Sequence, residues 1–262
     1  MRKLTGRVAL VTGASMGIGE AIARALAAHG VRLALAARSR DKLEAVARSL
    51  PVETLVLPTD LTDPGQVRAM VARTAEQFGR IDILVNNAAV GMYASVADMK
   101  PEQFEHLVAT NWLAPVRAIQ AVIPHMRKQG GGTIVNISSV AGKLAIPWMG
   151  AYCGSKSALN ALSNSLRMEL RPDHIQVLLV CPGRVKTSFT QNAFRDFSTR
   201  PLYPGGITAD RVARAVLRAL LRDKREIVVP ADNRLFGWLQ GLFPRLMDWA
   251  MVRILRPQMR KS

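Results

Sequence analysis

The stretch Arg7-Val8-Ala9-Leu10-Val11-Thr12-Gly13-Ala14-Ser15-Met16-Gly17-Ile18-Gly19 decides how the rest of the chain is read. Arg7 to Val11 is a short, β-branched apolar run, the pattern of a strand buried in a parallel sheet. From Ile18 onward apolar residues recur at helical spacing, at Ile18, Ala21, Ile22, Ala25 and Leu26, and His29-Gly30 ends the run. Gly13, Gly17 and Gly19 therefore sit where a strand becomes a helix. Three glycines alone would signal only a turn. At this junction they have a chemical use, because free N–H groups and the positive end of a helix attract phosphate and glycine lets the backbone come close. The stretch points to a dinucleotide-binding unit, with Gly13, Ser15, Met16, Gly17, Ile18 and Gly19 as its loop.

Working outward, strand and helix alternate. Val31 to Ala37 reads as a second strand, a helix over about 41–50 follows, and Val52 to Leu57 is a third strand. A helix through Gln77 leads to a fourth strand, Ile81 to Val85. Pro101 to Lys128 contains a long helix with Asn111 inside it. Gly132 to Ser139 and Ile175 to Cys181 are strands around a long helix from Tyr152 to Leu170. Asp210 to Leu221 is helical and Ile227 to Val229 is the last strand. This alternation predicts an α/β fold with one doubly wound parallel sheet and no internal linker. Arg184 to Ile207 is long, contains Pro and Gly and lacks periodicity, as expected of a lid or binding loop.

Several residues at strand ends invite a ligand. A carboxylate after the second strand bonds the ribose 2′-hydroxyl in NAD-binding units. Here Arg38 stands in that place and no carboxylate appears before Asp41. A guanidinium suits a 2′-phosphate, so the expected cofactor is NADP(H). Asp60, followed by Leu61, suits either an adenine amino group or a helix N-cap near Thr62-Asp63. Asn86-Asn87-Ala88-Ala89 suits either close approach of a ligand or a simple turn. Asn111 is either a satisfied core amide or a local distortion that holds a water.

Tyr152-Cys153-Gly154-Ser155-Lys156 carries the candidate chemistry. On a helix Tyr152 and Lys156 share a face. A phenol titrates near about pH 10, and a nearby ammonium favours its charged form. Ser139, thirteen residues before Tyr152, offers a hydroxyl that can hold a carbonyl oxygen while the phenol exchanges a proton with it. Taken alone, such a pair more often decorates a solvated helix face.

Composition narrows the classes. The 262 residues can bury a sizeable core. Two cysteines, Cys153 and Cys181, cannot build a disulfide framework and suit a reducing compartment, hence a cytoplasmic location. No apolar run reaches the roughly 18 residues a bilayer span needs, and the basic N-terminus reads straight into the first strand, not into a signal peptide. The net charge of +17 raises nucleic acid, an anionic membrane or anionic small ligands as partners. Only 5% of residues are aromatic and the cations are dispersed, so nucleic acid is set aside.

The sequence closely resembles the short-chain dehydrogenase/reductases, in particular their NADP-preferring branch, over roughly residues 5–230. The Thr12–Gly19 glycine motif, Asn86-Asn87-Ala88, Ser139, Tyr152-x-x-x-Lys156 and Pro182-Gly183 occur in the family's order and spacing. The resemblance implies one Rossmann-like domain over residues 1–232 with a mostly or fully parallel seven-stranded sheet. It implies that Tyr152 is the general acid or base, that Ser139 polarises the substrate oxygen, and that Lys156 lowers the Tyr152 pKa and bonds the nicotinamide ribose. It also implies a water of a proton relay on Asn111, an adenine contact at Asp60, ribose contact near Asn87, and carboxamide contacts at Val185 and Thr187. Leu61, Ala88, Pro182 and Gly183 complete the implied cofactor site. Family members usually form dimers or tetramers through two long helices, here about 101–128 and 152–170. Two departures stand out: Met16 replaces a basic residue common in NADP users, and Ala89 replaces a glycine.

Residues 233–262 go beyond the family's minimum. Phe236, Leu239, Phe243, Met247, Ala250 and Ile254 fall near one helical face, broken by Pro244. Trp238 and Trp249 lie there with Arg245, Arg253, Arg256, Arg260 and Lys261. This amphipathic extension is read as a core-packing or lid element, or as a helix on an anionic membrane surface. Leu144, Ile146 and Met149 near the site suggest a hydrophobic substrate. The expected protein is an NADP(H)-dependent oxidoreductase that interconverts a carbonyl and an alcohol. A cofactor-sensing protein with a vestigial site, and a membrane-surface scaffold, are the competing readings.

Overall fold

A computed structural model describes residues 3–195, 205–233 and 240–255. Its centre is a seven-stranded sheet, built from β1 (Val8–Thr12), β2 (Arg32–Ala37), β3 (Thr54–Pro58), β4 (Ile83–Asn86), β6 (Gly132–Ile137), β7 (Ile175–Pro182) and β9 (Glu226–Val229). The spatial order is β3-β2-β1-β4-β6-β7-β9, and each adjacent pair is parallel. The helices between them are α1 (Gly17–Ala27), α2 (Arg40–Arg48), α3 (Pro64–Phe78), α4 (Pro101–Val108), α5 (Ala114–Lys128), α6 (Gly150–Glu169) and α7 (Ala209–Leu221). This is the expected doubly wound, Rossmann-like arrangement.

The apolar runs become strands because both sheet faces are covered. Successive residues of a strand point to opposite faces. Ala9 and Val11 of β1 join one core with Leu26, Leu35, Leu43 and Val216. Val8 and Leu10 join the other with Val67, Met70, Val122 and Leu166. All five residues of β1 are buried, so no polar position interrupts the run. The chain winds from β1 outward to β3, then returns past β1 to β4 and winds the other way. The reversal opens a crevice beyond the carboxyl ends of β1 and β4, where open α/β sheets bind ligands.

Local signals act as their chemistry predicts. Asp63 caps α3, its Oδ1 accepting from the backbone N–H of Gly65 (2.6 Å) and Gln66 (3.2 Å). Pro64 occupies the first turn, where a missing N–H costs nothing, and Gly79 ends the helix at φ +71°. At the opposite end of the sheet Asp82 is almost wholly buried. It accepts from Arg7 Nη1 (2.5 Å), Arg80 Nη2 (2.6 Å) and the Val8 backbone N–H (2.9 Å). Burial pushes its carboxyl up, but the bonds from Arg80, Arg7 and Val8 outweigh it and hold the group below its ordinary value.

Three expectations are refined. The long helix over 101–128 is interrupted by a π turn at Ala109–Leu113, centred on Asn111, with Pro115 opening α5 behind it. The segment 184–207 is not plain loop. Phe194–Arg195 (β8) pairs in parallel with Met92–Tyr93 (β5), and Val185 bridges Ile207. The extension contains a helix at Pro244–Leu255 (α8). Phe236 and Leu239, placed on its apolar face by the sequence reading, and Trp238, noted in the same extension, lie outside the described residues. No helix among the described residues is long and apolar enough to cross a membrane.

Candidate active site

The glycine loop joins β1 to α1 at the crevice. Gly17 has φ +61°, a conformation L side chains rarely adopt. A Cβ on Gly19 would lie 2.2 Å from the Gly13 carbonyl oxygen, so only glycine fits there. Met16, at the cap position of α1, offers the first turn no side-chain hydrogen bond. The helix start therefore presents its N–H groups to a ligand, and the loop fits the pyrophosphate of a dinucleotide. Thr12 and Asn87 brace it. Thr12 Oγ1 donates to Val85 O (3.2 Å) and accepts from the N–H of Asn87 (3.0 Å) and Ala88 (3.2 Å). Asn87 Nδ2 donates to Thr12 O (2.9 Å) and Gly13 O (3.2 Å). That amide thus ties β4 to the loop, and both readings of the Asn pair meet in one residue.

Arg38 follows the last residue of β2 and is exposed. Asp60 lies beyond β3. Its Oδ1 accepts from the Thr62 N–H (2.9 Å) and hydroxyl (2.7 Å). Those bonds, with the charge of Arg38 as a smaller cause, hold the carboxyl below its ordinary value. The N-cap role considered for Asp60 belongs to Asp63. Leu61 is buried in the core under this end of the crevice.

Ser139, Tyr152 and Lys156 converge past β6. Ser139 Oγ accepts from the Ala141 N–H (3.1 Å) and lies 3.5 Å from the Pro182 carbonyl oxygen. Tyr152 is 7% exposed and Lys156 2%. Lys156 Nζ donates to Ile137 O (3.0 Å) and sits 5.9 Å from the centre of the Tyr152 ring. Burial pushes the Lys156 ammonium down to about 8. The expectation that the phenol titrates below its ordinary value is corrected. Burial pushes the Tyr152 phenol up, and its hydrogen bond with Ser139 only partly opposes the rise. The cost of placing a phenolate in an apolar wall exceeds the help available from its neighbours.

Asn111 is wholly buried in the π turn. Its Oδ1 accepts from the Val90 N–H (2.8 Å), and its Nδ2 donates to Val90 O (2.9 Å) and Ser155 Oγ (3.1 Å). Ser155 Oγ in turn donates to the Tyr152 carbonyl (2.8 Å). The amide therefore links the loop after β4 to the turn of α6 that carries Tyr152. It is a satisfied core polar group and sits in a distorted helix at once.

The segment after β7 closes this side. Gly183 N–H donates to Val229 O (2.8 Å) behind Pro182. Val185 packs on the core, and the Thr187 methyl stands 3.2 Å from where a Gly17 Cβ would be. Ser188 Oγ reaches Met16 Sδ (3.1 Å), so the replaced basic residue serves as a contact between lid and glycine loop. The Phe189 ring lies 5.7 Å from that of Tyr152. Met92, Tyr93, Leu107, Met149 and Tyr152, with Ile146, Phe189 and Phe194, form one apolar cluster. Ile146 and Met149 belong to this cluster beside Tyr152, whereas Leu144 does not. Thr12, Ser155, Tyr93 and Phe189 were not singled out as site residues by the sequence. The two aromatics in otherwise unpatterned segments were the available signal.

Comparison with known proteins agrees with this geometry. Residues 7–197 match the family described as short chain dehydrogenase. A "Dehydrogenase/reductase SDR family protein 7-like" of Anopheles gambiae is 35% identical, covering 96% of this chain and 84% of its own length. A short chain dehydrogenase/reductase from Burkholderia phymatum in complex with NAD superposes with a TM-score of 0.87 at 25% identity, covering 94% of this chain and 96% of that one. An alcohol dehydrogenase from Thermococcus sibiricus complexed with 5-hydroxy-NADP gives 0.76 at 33% identity, covering 85% and 95%. The glycine loop at the switch point, the Ser139, Tyr152 and Lys156 cluster and these matches together make the chain a member of the short-chain dehydrogenase family of oxidoreductases.

Proposed function

We propose that the protein reduces a hydrophobic ketone or aldehyde, or oxidises the matching alcohol, with NADP(H). The observation that carries the reading is the convergence of a half-buried Ser139 with the buried Tyr152 and Lys156, in a chain whose glycine loop is intact. A bound nicotinamide supplies or accepts the hydride. The residues of this chain handle the proton and the geometry. In reduction the Tyr152 hydroxyl gives its proton to the carbonyl oxygen, and in oxidation the phenolate takes one from the alcohol. The Ser139 hydroxyl donates to the same oxygen and fixes its position. The Lys156 charge favours the phenolate and reaches towards the ribose side. Asn111 holds Val90 and Ser155 in place and supports a proton relay at the π turn.

Arg38 supports NADP(H), because the mouth of β2 carries a guanidinium and no carboxylate. The NADP analogue in the Thermococcus sibiricus protein agrees with this preference, while the Burkholderia phymatum protein holds NAD. The apolar cluster of Tyr93, Met149, Phe189 and Phe194 supports a hydrophobic substrate.

A thermal-shift titration with NADPH and NADH is the first test. A ligand at 100 times its Kd adds about 2.7 kcal/mol of stability, enough to separate the two cofactors. A larger shift with NADPH is expected, and a larger shift with NADH would overturn the Arg38 reading. A carbonyl panel with Tyr152→Phe follows. Turnover that falls to background while NADPH binding persists supports catalysis, and turnover indifferent to the change refutes it.

A further inference from the structure

Helix α8 carries an apolar surface that the folded chain leaves open. Ten large apolar side chains are exposed among the described residues, and six of them fall within residues 242–254. They are Leu242, Phe243, Leu246, Trp249, Val252 and Ile254, with Leu242 at 67% and Trp249 at 61%. Leu246, Trp249 and Val252 follow each other at spacings of three along α8, so they lie on neighbouring parts of one side, and Leu242 and Phe243 are exposed just before the helix. Met247, Ala250 and Met251 point the other way and are half-buried. The face expected from the sequence is thus partly the packed one, and a second apolar face is outward.

The charges on that outward face say what covers it. Arg245 and Arg253 flank Trp249 four residues to either side, both exposed. The Arg253 guanidinium stacks 5.5 Å from the Trp249 ring. Arginine beside tryptophan also occurs in protein interfaces, but there it is not accompanied by a run of further cations. A bilayer interface gathers such cations: the indole sits at headgroup depth, leucines reach the acyl boundary, and arginines extend to lipid phosphates. The sequence beyond α8 adds Arg256, Arg260 and Lys261, and the whole chain carries +17.

We infer that α8 docks this protein on an anionic bilayer surface through Leu246, Trp249 and Val252, with Leu242 just before the helix beside them and Arg245 and Arg253 on lipid phosphates. The helix lies in the interface and does not cross it. Its approach is tied to the loop before α6, since Gln240 Oε1 accepts from the Ala145 N–H at 3.0 Å. That loop carries Ile146 and Met149 of the apolar cluster. The inference does not depend on the proposed reaction.

Cosedimentation of the full chain with vesicles tests it. Vesicles of phosphatidylcholine alone are compared with vesicles doped with phosphatidylglycerol. Binding is expected on the doped vesicles, at least about tenfold weaker without the anionic lipid and in high salt. The double variant Leu246→Glu, Trp249→Glu should lose binding at least about tenfold, and Arg245→Gln, Arg253→Gln should lose its preference for anionic lipid. All four side chains are exposed, so an unchanged melting temperature and cofactor shift certify the fold. Equal binding to both vesicles, or full binding by the Glu variant, would overturn the inference. So would a wild type that ignores vesicles but forms an oligomer, by light scattering, that the Glu variant dissociates. That result would assign the face to a second copy of the chain.

Discussion

Replacing Lys156 by Met tests the electrostatic core of the proposed mechanism. The ammonium lies 5.9 Å from the Tyr152 ring centre, and both groups are buried. Two unit charges at that distance attract by about 2.8 kcal/mol at an effective dielectric near 20. That equals about two pH units in the phenol's titration. The sign follows from which form is favoured. The phenolate loses its cation, so the Tyr152 pKa rises further. Alcohol oxidation needs the phenolate, so below about pH 8, where Lys156 keeps its proton, Lys156→Met should lose roughly a hundredfold in rate and its pH–rate profile should begin its rising limb only at higher pH. Lys156 also faces the ribose side of the proposed cofactor site, so amplitude alone would mix two effects. The position of the limb isolates the charge, and Lys156→Arg should keep it near the wild-type value. An unmoved limb in Lys156→Met would refute the role of the ammonium and leave Ser139 as the main support of the phenolate.

Other outcomes follow from single contacts. Asp82→Asn should cost about 1–3 kcal/mol at neutral pH, because charge-assisted bonds to Arg7 and Arg80 are lost. The Asp82 carboxyl is held low in the folded chain, so its stabilisation is present above the unfolded pKa and disappears as pH falls through the folded one. Melting curves of the two proteins should converge below about pH 4, and a gap that stays constant would contradict this. Gly19→Ala forces a Cβ onto the Gly13 carbonyl, and calorimetry should find a melting loss together with abolished NADPH-induced stabilisation. Arg38→Asp should reverse the cofactor preference in the same thermal assay. Phe189→Ala removes one ring from against Tyr152 and should raise KM for large carbonyls more than for small ones; a uniform effect across the panel would place Phe189 outside the substrate wall.

The strands and the glycine loop were legible because their signals are local. A run buried on both faces must be apolar along most of its length, and β1, β2 and β4 are, with Thr12, Arg32 and Asn86 only at their ends. The candidate catalytic side chains were legible as a spacing, since Tyr152 and Lys156 lie one turn apart and Ser139 follows a strand. What was hidden depends on distant partners. The two-residue strands β5 and β8 are too short to show a period, and their pairing joins residues about a hundred positions apart. The π turn cannot be read from Asn111 alone, because its cause is the bond pattern to Val90 and Ser155. The direction of the Tyr152 shift was misjudged because spacing shows the cation but not the depth of burial around the phenol.

That misjudgement bears on how the site would work. Burial opposes charge on Tyr152 and on Lys156 alike, so a lone phenolate and a lone ammonium are both costly here. The two charges together cost less than the sum of the two taken separately, because their attraction offsets part of the desolvation. A site of this kind favours the neutral phenol at rest and permits the phenolate only beside the protonated lysine. The segment after β7 adds to the burial on this side, with the Phe189 ring 5.7 Å from that of Tyr152 and Ser188 Oγ on Met16 Sδ. The apolar surroundings that raise the phenol therefore belong to the same electrostatic balance as Lys156.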